Sequence, residues 1–259
     1  MSHSIHSTAI VAKGAKLGAN VSVGPYTVID GDVEVGDGTT IGAHNVITGL
    51  TKIGRDNRIF HFCSIGEANQ DKKYKGEPTR LEIGDRNTIR EYCSINRGTA
   101  QDQGATRLAD DNWIMAYVHI AHDCQVGSNT VFANNATLAG HVAIGDWTIL
   151  GGFVGVHQFV KVGAHVMAGI SSVVTQDVPP FLTIAGQPCA PHGINSEGLK
   201  RRGFSPEAIA ALKRAYKTLY RSGLTLGDAK AELALQAAEN AEVRPLLAFL
   251  EASTRGILR

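Results

Sequence analysis

Every sixth residue from Ile5 to Ile65 is aliphatic: Ile5, Val11, Leu17, Val23, Ile29, Val35, Ile41, Ile47, Ile53, Ile59 and Ile65. The beat returns at Ile83, Ile89 and Ile95 and slips by one residue. It then runs through Leu108, Ile114, Ile120, Val126, Phe132, Leu138, Ile144, Leu150, Val156 and Val162. An α-helix, with a period of 3.6, does not produce this pattern, nor does an isolated strand with a period of two. A hexapeptide repeat predicts a parallel β-helix. Each hexapeptide supplies one short strand and one corner, and three of them close a triangular coil of roughly 18 residues. Coils stack through strand ladders about 4.8 Å apart. Stacking buries each aliphatic residue from both sides, which a single coil cannot do. Each burial contributes roughly 1.5–3 kcal/mol. Many of the 29 glycines fit the same scheme, because Gly18, Gly24, Gly36, Gly42, Gly54 and Gly66 directly follow the beat. A small residue there avoids a clash, and glycine also permits the positive φ expected where the chain bends.

Two polar segments interrupt the beat, "EANQDKKYKGEPTRLE" (67–82) and "GTAQDQGATR" (98–107). They read as external loops, and loops on a rigid scaffold often carry function. After "DVPPF" (177–181) the beat stops, and Pro179, Pro180, Pro188 and Pro191 mark a loop-like passage. A helical pattern follows. Ser205-Pro206-Glu207 reads as an N-cap, a first-turn proline and an acidic first turn. Ile209, Leu212, Tyr216 and Leu219 form an apolar stripe that Gly223 ends. Thr225 with Asp228 reads as a second helix start, and "EVRPLLAFLEAS" (242–253) as a third helix. The expected organisation is therefore a β-helix over 1–190 and a small α-helical C-terminal domain over 191–259.

Composition excludes several classes of function. The 259 residues are 43% hydrophobic and 19% charged, with a formal net charge of +1. No basic excess suggests nucleic acid, and no apolar run is long enough for stable membrane insertion. "MSHSIHSTAIVAKGAK" lacks the apolar core of a signal peptide, so a cytoplasmic protein is expected. Cys63, Cys93, Cys124 and Cys189 are scattered without a CxxC pair, which argues against a disulfide framework or a structural zinc site.

Residues one coil apart share a side of the tube. The hexapeptides at Ile120, Leu138 and Val156 place His122, His141 and His157 on one face, and that at Ile95 adds Asn96 and Arg97. In this phase His119 is the corner residue and His122 lies on the flat side. Both polar loops leave from the edge of the same face. Three readings remain open. The histidines are solvated surface residues, or zinc ligands as in γ-class carbonic anhydrases, or the base of a group transfer. No carboxylate or cysteine in the sequence pattern completes a clear metal set. For transfer chemistry, Asp123 would orient His122 and stabilise its charged form, and Gly140 would offer a backbone N–H to an oxyanion.

Several motifs together resemble one family, the UDP-N-acetylglucosamine O-acyltransferases, which begin lipid A biosynthesis. They are "HIAHDC" (119–124), "NNATLAGHV" (134–142), "VHQF" (156–159), "GEANQDKKYKGEPTRLEIGDRNTIRE" (66–91), "NSEGLKRRGFS" (195–205) and "STRGILR" (253–259). The resemblance spans nearly the whole chain and implies a left-handed β-helix. It also implies a homotrimer with sites between adjacent subunits, and no cofactor or metal. The implied reaction moves an (R)-3-hydroxyacyl group from acyl carrier protein to the 3-hydroxyl of UDP-N-acetylglucosamine. His122 would be the base, Asp123 its support and Gly140 the oxyanion donor. His119, His141, His157 and Gln158 would line the sugar-nucleotide site. Asp71 and Lys73 would reach it from a neighbouring subunit. Asn195, Glu197, Arg201 and Arg202 would hold the nucleotide and its phosphates. Met167 and Ile170 would measure the acyl chain.

Two positions depart from the family pattern. Asn96 stands where many members have histidine, and an amide can hydrogen-bond but not titrate. Ile170 stands where members that use longer chains have glycine, which implies a shorter acyl groove. Between Lys200 and Arg221 there are seven basic residues and one acidic, with Lys213, Lys217 and Arg221 on one helical stripe. That stripe reads either as a solvated face or as a docking surface for an acidic carrier protein.

Overall fold

The computed structural model describes residues 4–259; residues 1–3 of the expected first domain lie outside the described residues. From Ser4 to Val174 the chain winds as a left-handed parallel β-helix of short strands. Three sheets form the walls of a triangular prism. Sheet A runs from Ser4–Ile5 to Ala190–Ile194, sheet B from Ile10–Val11 to Val173–Val174, and sheet C from Lys16–Leu17 to Lys161–Val162. The beat residues point inward. Ile47, Ile65, Ile95, Ile120 and Leu138 stack behind sheet B with no measurable exposure. Ile5 in the first described coil remains exposed. The beat continues past Val162, through buried Ala168 and Val174.

The corners correct one expectation. The left-handed residue lies three after the beat, and it is usually not glycine: Tyr26, His44, Phe62, Tyr92 and Tyr117 have φ between 55° and 64°. Gly66, with φ 77°, meets that expectation, while Gly18, Gly24, Gly36, Gly42 and Gly54 serve close approach instead. A Cβ on Gly36 would sit 2.6 Å from the Gly54 carbonyl carbon, and one on Gly24 would sit 2.7 Å from that of Gly42. Stacked coils meet there backbone to backbone, so the side chain is excluded by the neighbouring coil rather than by φ. Buried amides add lateral bonds that the apolar beat does not announce. Asn57, Asn87 and Asn112 each accept from the next coil through Oδ1, from the backbone N–H of Asn87, Asn112 and Thr130 respectively.

Both interruptions leave sheet B, as the phase of the repeat implies, but each is shorter than expected. Strands Ser64–Glu67 and Arg80–Ile83 bracket a loop of 68–79 rather than 67–82. Strands Ser94–Asn96 and Ala105–Leu108 bracket one of 97–104 rather than 98–107. Arg80, Glu82 and Arg107 read as loop because they are polar, yet they are the outward positions of paired strands. The expected loop after 181 is also a strand pair: Leu182–Ala185 and Ala190–Ile194 form an antiparallel hairpin that ends sheet A.

The C-terminal helices are α1 (Ser196–Arg201), α2 (Pro206–Tyr220), α3 (Leu226–Glu239) and α4 (Arg244–Ala252). Ser205 and Thr225 cap α2 and α3 as expected. Helix α1 is too short for an apolar stripe to announce it. Leu199, Leu212, Leu219, Leu233, Leu246 and Leu250 close a second apolar core. Among the described residues, no helix is long and apolar enough to cross a membrane.

Candidate active site

The histidines gather at the corner between sheets B and C. Strand His119–Ile120 ends sheet B's contribution, His122 and Asp123 make the turn, and Gln125–Val126 begins sheet C's. The expected phase is therefore reversed: His119 is the strand residue, and His122 lies on the corner. Inward Ile120 fixes its neighbour His119 as outward, and the left-handed residue falls at Asp123, with φ 59°. The next two coils place Gly140 and His141, then His157, Gln158 and Phe159, at the same corner.

Asp123 is almost fully buried, at 1% exposure. Thr99 N–H lies 3.0 Å from both carboxylate oxygens, and the Thr99 hydroxyl donates to Oδ2 at 2.7 Å. His122 Nδ1 is 3.0 Å from the same Oδ2. Burial pushes the Asp123 carboxyl up, but the bonds from His122 and Thr99 outweigh it and hold the group below its ordinary range. An ionised carboxylate accepts only, so His122 Nδ1 carries the hydrogen and Nε2 keeps its lone pair. That is the state a general base needs.

The His122 ring lies directly over Gly140. A Cβ there would fall 2.5 Å from Nε2 and 2.4 Å from Cε1. Among the described residues the Gly140 N–H meets no backbone acceptor, while its carbonyl accepts from Phe159. His141 meets His122 edge-on at 4.9 Å and stacks on Phe159 at 4.3 Å. Its Nδ1 lies 2.7 Å from Asp102 Oδ2. His119 bonds the Ser94 hydroxyl at 2.7 Å, and burial lowers its pKa despite that bond. His157 and Gln158 are exposed. Sequence reasoning missed Thr99, Asp102 and Ser94. The interruption at 98–107 marked the neighbourhood of Thr99 and Asp102, but no periodicity singles out residues within a loop; Ser94 is a strand residue in register with His119 one coil on.

The remaining expected residues lie apart from this corner within one chain. Asp71 and Lys73 occupy the first loop, where Lys73 N–H donates to Asp71 Oδ1 at 2.9 Å. Asn195 caps α1 through Gly198 N–H and donates to the His165 carbonyl. Glu197 pairs with Lys200, and Arg201 is exposed. Arg202 approaches His165 Nδ1 at 3.3 Å and lies over Trp147. His165 and Trp147 belong to the corner between sheets C and A, a different edge of the prism. Met167 faces outward on sheet A, and Ile170, 73% exposed, follows it at the corner between A and B. Asn96 is buried and donates to the Glu67 and Ala68 carbonyls, which ties the first loop to sheet B. Cys124 is packing: burial pushes its thiol up to about 12.

Similarity agrees with this geometry. The bacterial transferase hexapeptide family matches residues 5–49 and 105–140, and the second domain of Udp N-acetylglucosamine O-acyltransferase matches 177–258. The acyl-[acyl-carrier-protein]–UDP-N-acetylglucosamine O-acyltransferase of Thiobacillus denitrificans is 67% identical over 255 residues, covering 98% of this chain and 99% of that protein. The chain belongs to this acyltransferase family. Solved UDP-N-acetylglucosamine acyltransferases share the fold. That of Francisella novicida aligns at a TM-score of 0.97 with 43% identity, covering 98% of this chain and 94% of the other. That of Moraxella catarrhalis aligns at 0.97 with 44% identity, covering 98% and 99%.

Contrary to the sequence pattern, a carboxylate does join the histidines: ligand atoms of His122, Asp123 and His141 lie within 4.8 Å of one another. The chemistry of the set favours hydrogen bonding all the same. Both Asp123 oxygens already accept from Thr99, and His141 Nδ1 is engaged by Asp102. A cation taking Asp123 would have to compete with the bonds from Thr99.

Proposed function

We propose that the chain transfers an (R)-3-hydroxyacyl group from acyl carrier protein to the 3-hydroxyl of UDP-N-acetylglucosamine, opening lipid A biosynthesis, with His122 as general base. The observation that carries the reading is the His122–Asp123 pair held over the bare backbone of Gly140. His122 Nε2 takes the hydroxyl proton as the sugar oxygen attacks the thioester carbonyl. Asp123 stabilises the imidazolium so formed. The oxyanion is met by the Gly140 N–H. The C–S bond breaks, and the imidazolium returns its proton to the carrier's thiolate.

The substrate-binding roles extend this reading. His119, His141, His157 and Gln158 line the sugar-nucleotide site. Asn195, Glu197, Arg201 and Arg202 hold the nucleotide, Arg202 suiting phosphate through its planar fork. These groups occupy different edges of one prism, which supports a homotrimer with sites between adjacent copies, Asp71 and Lys73 included. A concavity of about 970 Å³ on the outer face of sheet C, lined by Arg107, Gln125, Lys161 and Phe249 among others, suits lateral packing. The acyl chain follows the outer row of sheet B from His119 past Thr137 and Gly155 to Val173, with Ile170 and Met167 limiting its length. Lys213, Lys217 and Arg221 border a depression of about 400 Å³ beside α2, a basic surface for an acidic carrier protein. The reading places the protein in the cytoplasm.

The deciding experiment is acyl transfer to UDP-N-acetylglucosamine from a panel of 3-hydroxyacyl carriers, with wild type and His122→Ala. Loss of general-base catalysis costs about 10²–10⁴-fold. The substitution is expected to lower kcat by at least about a hundredfold while leaving the assembly's size unchanged. Substantial residual turnover would remove His122 as base.

A further inference from the structure

Asp102 lies against His141. Its Oδ2 is 2.7 Å from Nδ1, closer than Asp123 is to His122 at 3.0 Å. Asp123 Oδ2 stands 3.9 Å from the same His141 nitrogen, beyond hydrogen-bond reach. The ring is confined elsewhere too, stacked on Phe159 at 10° between planes and met edge-on by His122. The His141 side chain is 13% exposed and that of Asp102 39%. A half-solvated carboxylate thus leans from its loop onto a nearly enclosed ring.

The loop that carries it has a second hold on the corner. Thr99, three residues before Asp102, supplies both its N–H and its hydroxyl to Asp123. The 97–104 loop is fastened at its base, where Gly98 N–H donates to the Arg80 carbonyl and Arg80 N–H to that of Gly104. One anchored loop therefore braces both imidazoles, His122 through Thr99 and Asp123, and His141 through Asp102. Because a carboxylate accepts only, His141 Nδ1 carries a hydrogen and Nε2 is the atom left for a ligand. Partners of this kind set ring orientation and tautomer wherever a histidine must present one nitrogen.

We propose that Asp102 is a positioning residue that fixes the tautomer and ring plane of His141, so that Nε2 hydrogen-bonds the bound sugar nucleotide. The proposal rests on the reading of His141 as part of the sugar-nucleotide site. The two histidines then have separate roles. His122, backed by the buried Asp123, moves the proton, and His141, backed by the loop carboxylate, grips the acceptor.

The test uses the full chain with Asp102→Ala, Asp102→Asn and His141→Ala. It measures kcat, KM for UDP-N-acetylglucosamine, and the ring-nitrogen NMR signature of His141. Losing a charge-assisted hydrogen bond of this kind is expected to raise KM about tenfold in Asp102→Ala, with the smaller effect on kcat. The Nδ1–H signature should be lost in that variant. Asp102→Asn keeps an accepting oxygen and should recover most of both. If His141→Ala raises KM while Asp102→Ala changes neither KM nor the ring signature, the positioning role is overturned and the sugar-site reading stands. If His141→Ala leaves KM unmoved, the sugar-site reading fails and takes the proposal with it. A loss confined to kcat in Asp102→Ala would place Asp102 behind proton transfer and also overturn the proposal.

Discussion

Two corners of the prism share one backbone and differ in chemistry. Between sheets A and B, the left-handed residues Tyr26, His44, Phe62, Tyr92 and Tyr117 stack ring on ring, with centroids 4.8–5.2 Å apart. Between sheets B and C, the equivalent positions in three successive coils are Asp123, His141 and Phe159. Coil spacing imposes the stacking in both places, since side chains on the same corner repeat at the ladder distance. The contrast lies in enclosure. No loop leaves the first corner within the ladder, and Tyr26 and Tyr117 remain more than half exposed. The second is overhung by the 97–104 loop, which buries Asp123 and engages His141. A regular scaffold supplies positions, and an inserted loop turns some of them into a site.

The largest break in this comparison should come from Gly140→Ala. The new methyl would displace the His122 ring, a movable side chain, rather than the backbone of the stack. Turnover is expected to fall about 10²–10³-fold, the range for a disturbed oxyanion donor, with little change in Tm. Full activity would show that the ring need not sit over Gly140.

Ile170 tests whether the corner between A and B is purely architectural at its lower end. In Ile170→Gly, competition between 3-hydroxyacyl carriers should shift selectivity about tenfold or more toward longer chains, the discrimination that a few methylenes support. Unchanged selectivity would detach Ile170 from the acyl groove. Within the ladder, Tyr92→Ala should cost about 1 kcal/mol by denaturant unfolding, the worth of an aromatic pair, and leave acyl transfer intact. A loss of activity instead would mean that this corner also serves the site.

The third corner bears on stability through pH alone. Burial first, and then the Arg202 guanidinium, push His165 down to about 4, against a weaker pull from Asp146. An unfolded histidine titrates near 6.5. Between these values the unfolded chain binds the proton that the folded chain refuses. The contribution is therefore complete above about pH 6.5 and is lost as pH falls toward 4. Denaturant midpoints at pH 7 and pH 5 should differ less in His165→Asn than in wild type. An equal difference would show that His165 is not the group responsible.

The hexapeptide beat determined the prism, the coil length, the face from which both loops leave and the coils that carry His122, His141 and His157. It could do so because a solenoid is nearly one-dimensional: each residue's spatial neighbours lie one coil away in sequence, so contacts are written as a period. The helix caps at Ser205 and Thr225 were legible for a similar reason, being local. What tertiary structure decided was phase and enclosure. The corners turn mostly at aromatic, acidic and asparagine residues, and most of the repeat glycines answer to the neighbouring coil, so glycine placement could not tell His119 from His122. Thr99 and Asp102 sit in a segment without period, and their hold on Asp123 and His141 comes from how a loop folds back across the stack. Such contacts join residues 24 and 39 positions apart, separations that no repeat specifies and that only the folded chain creates.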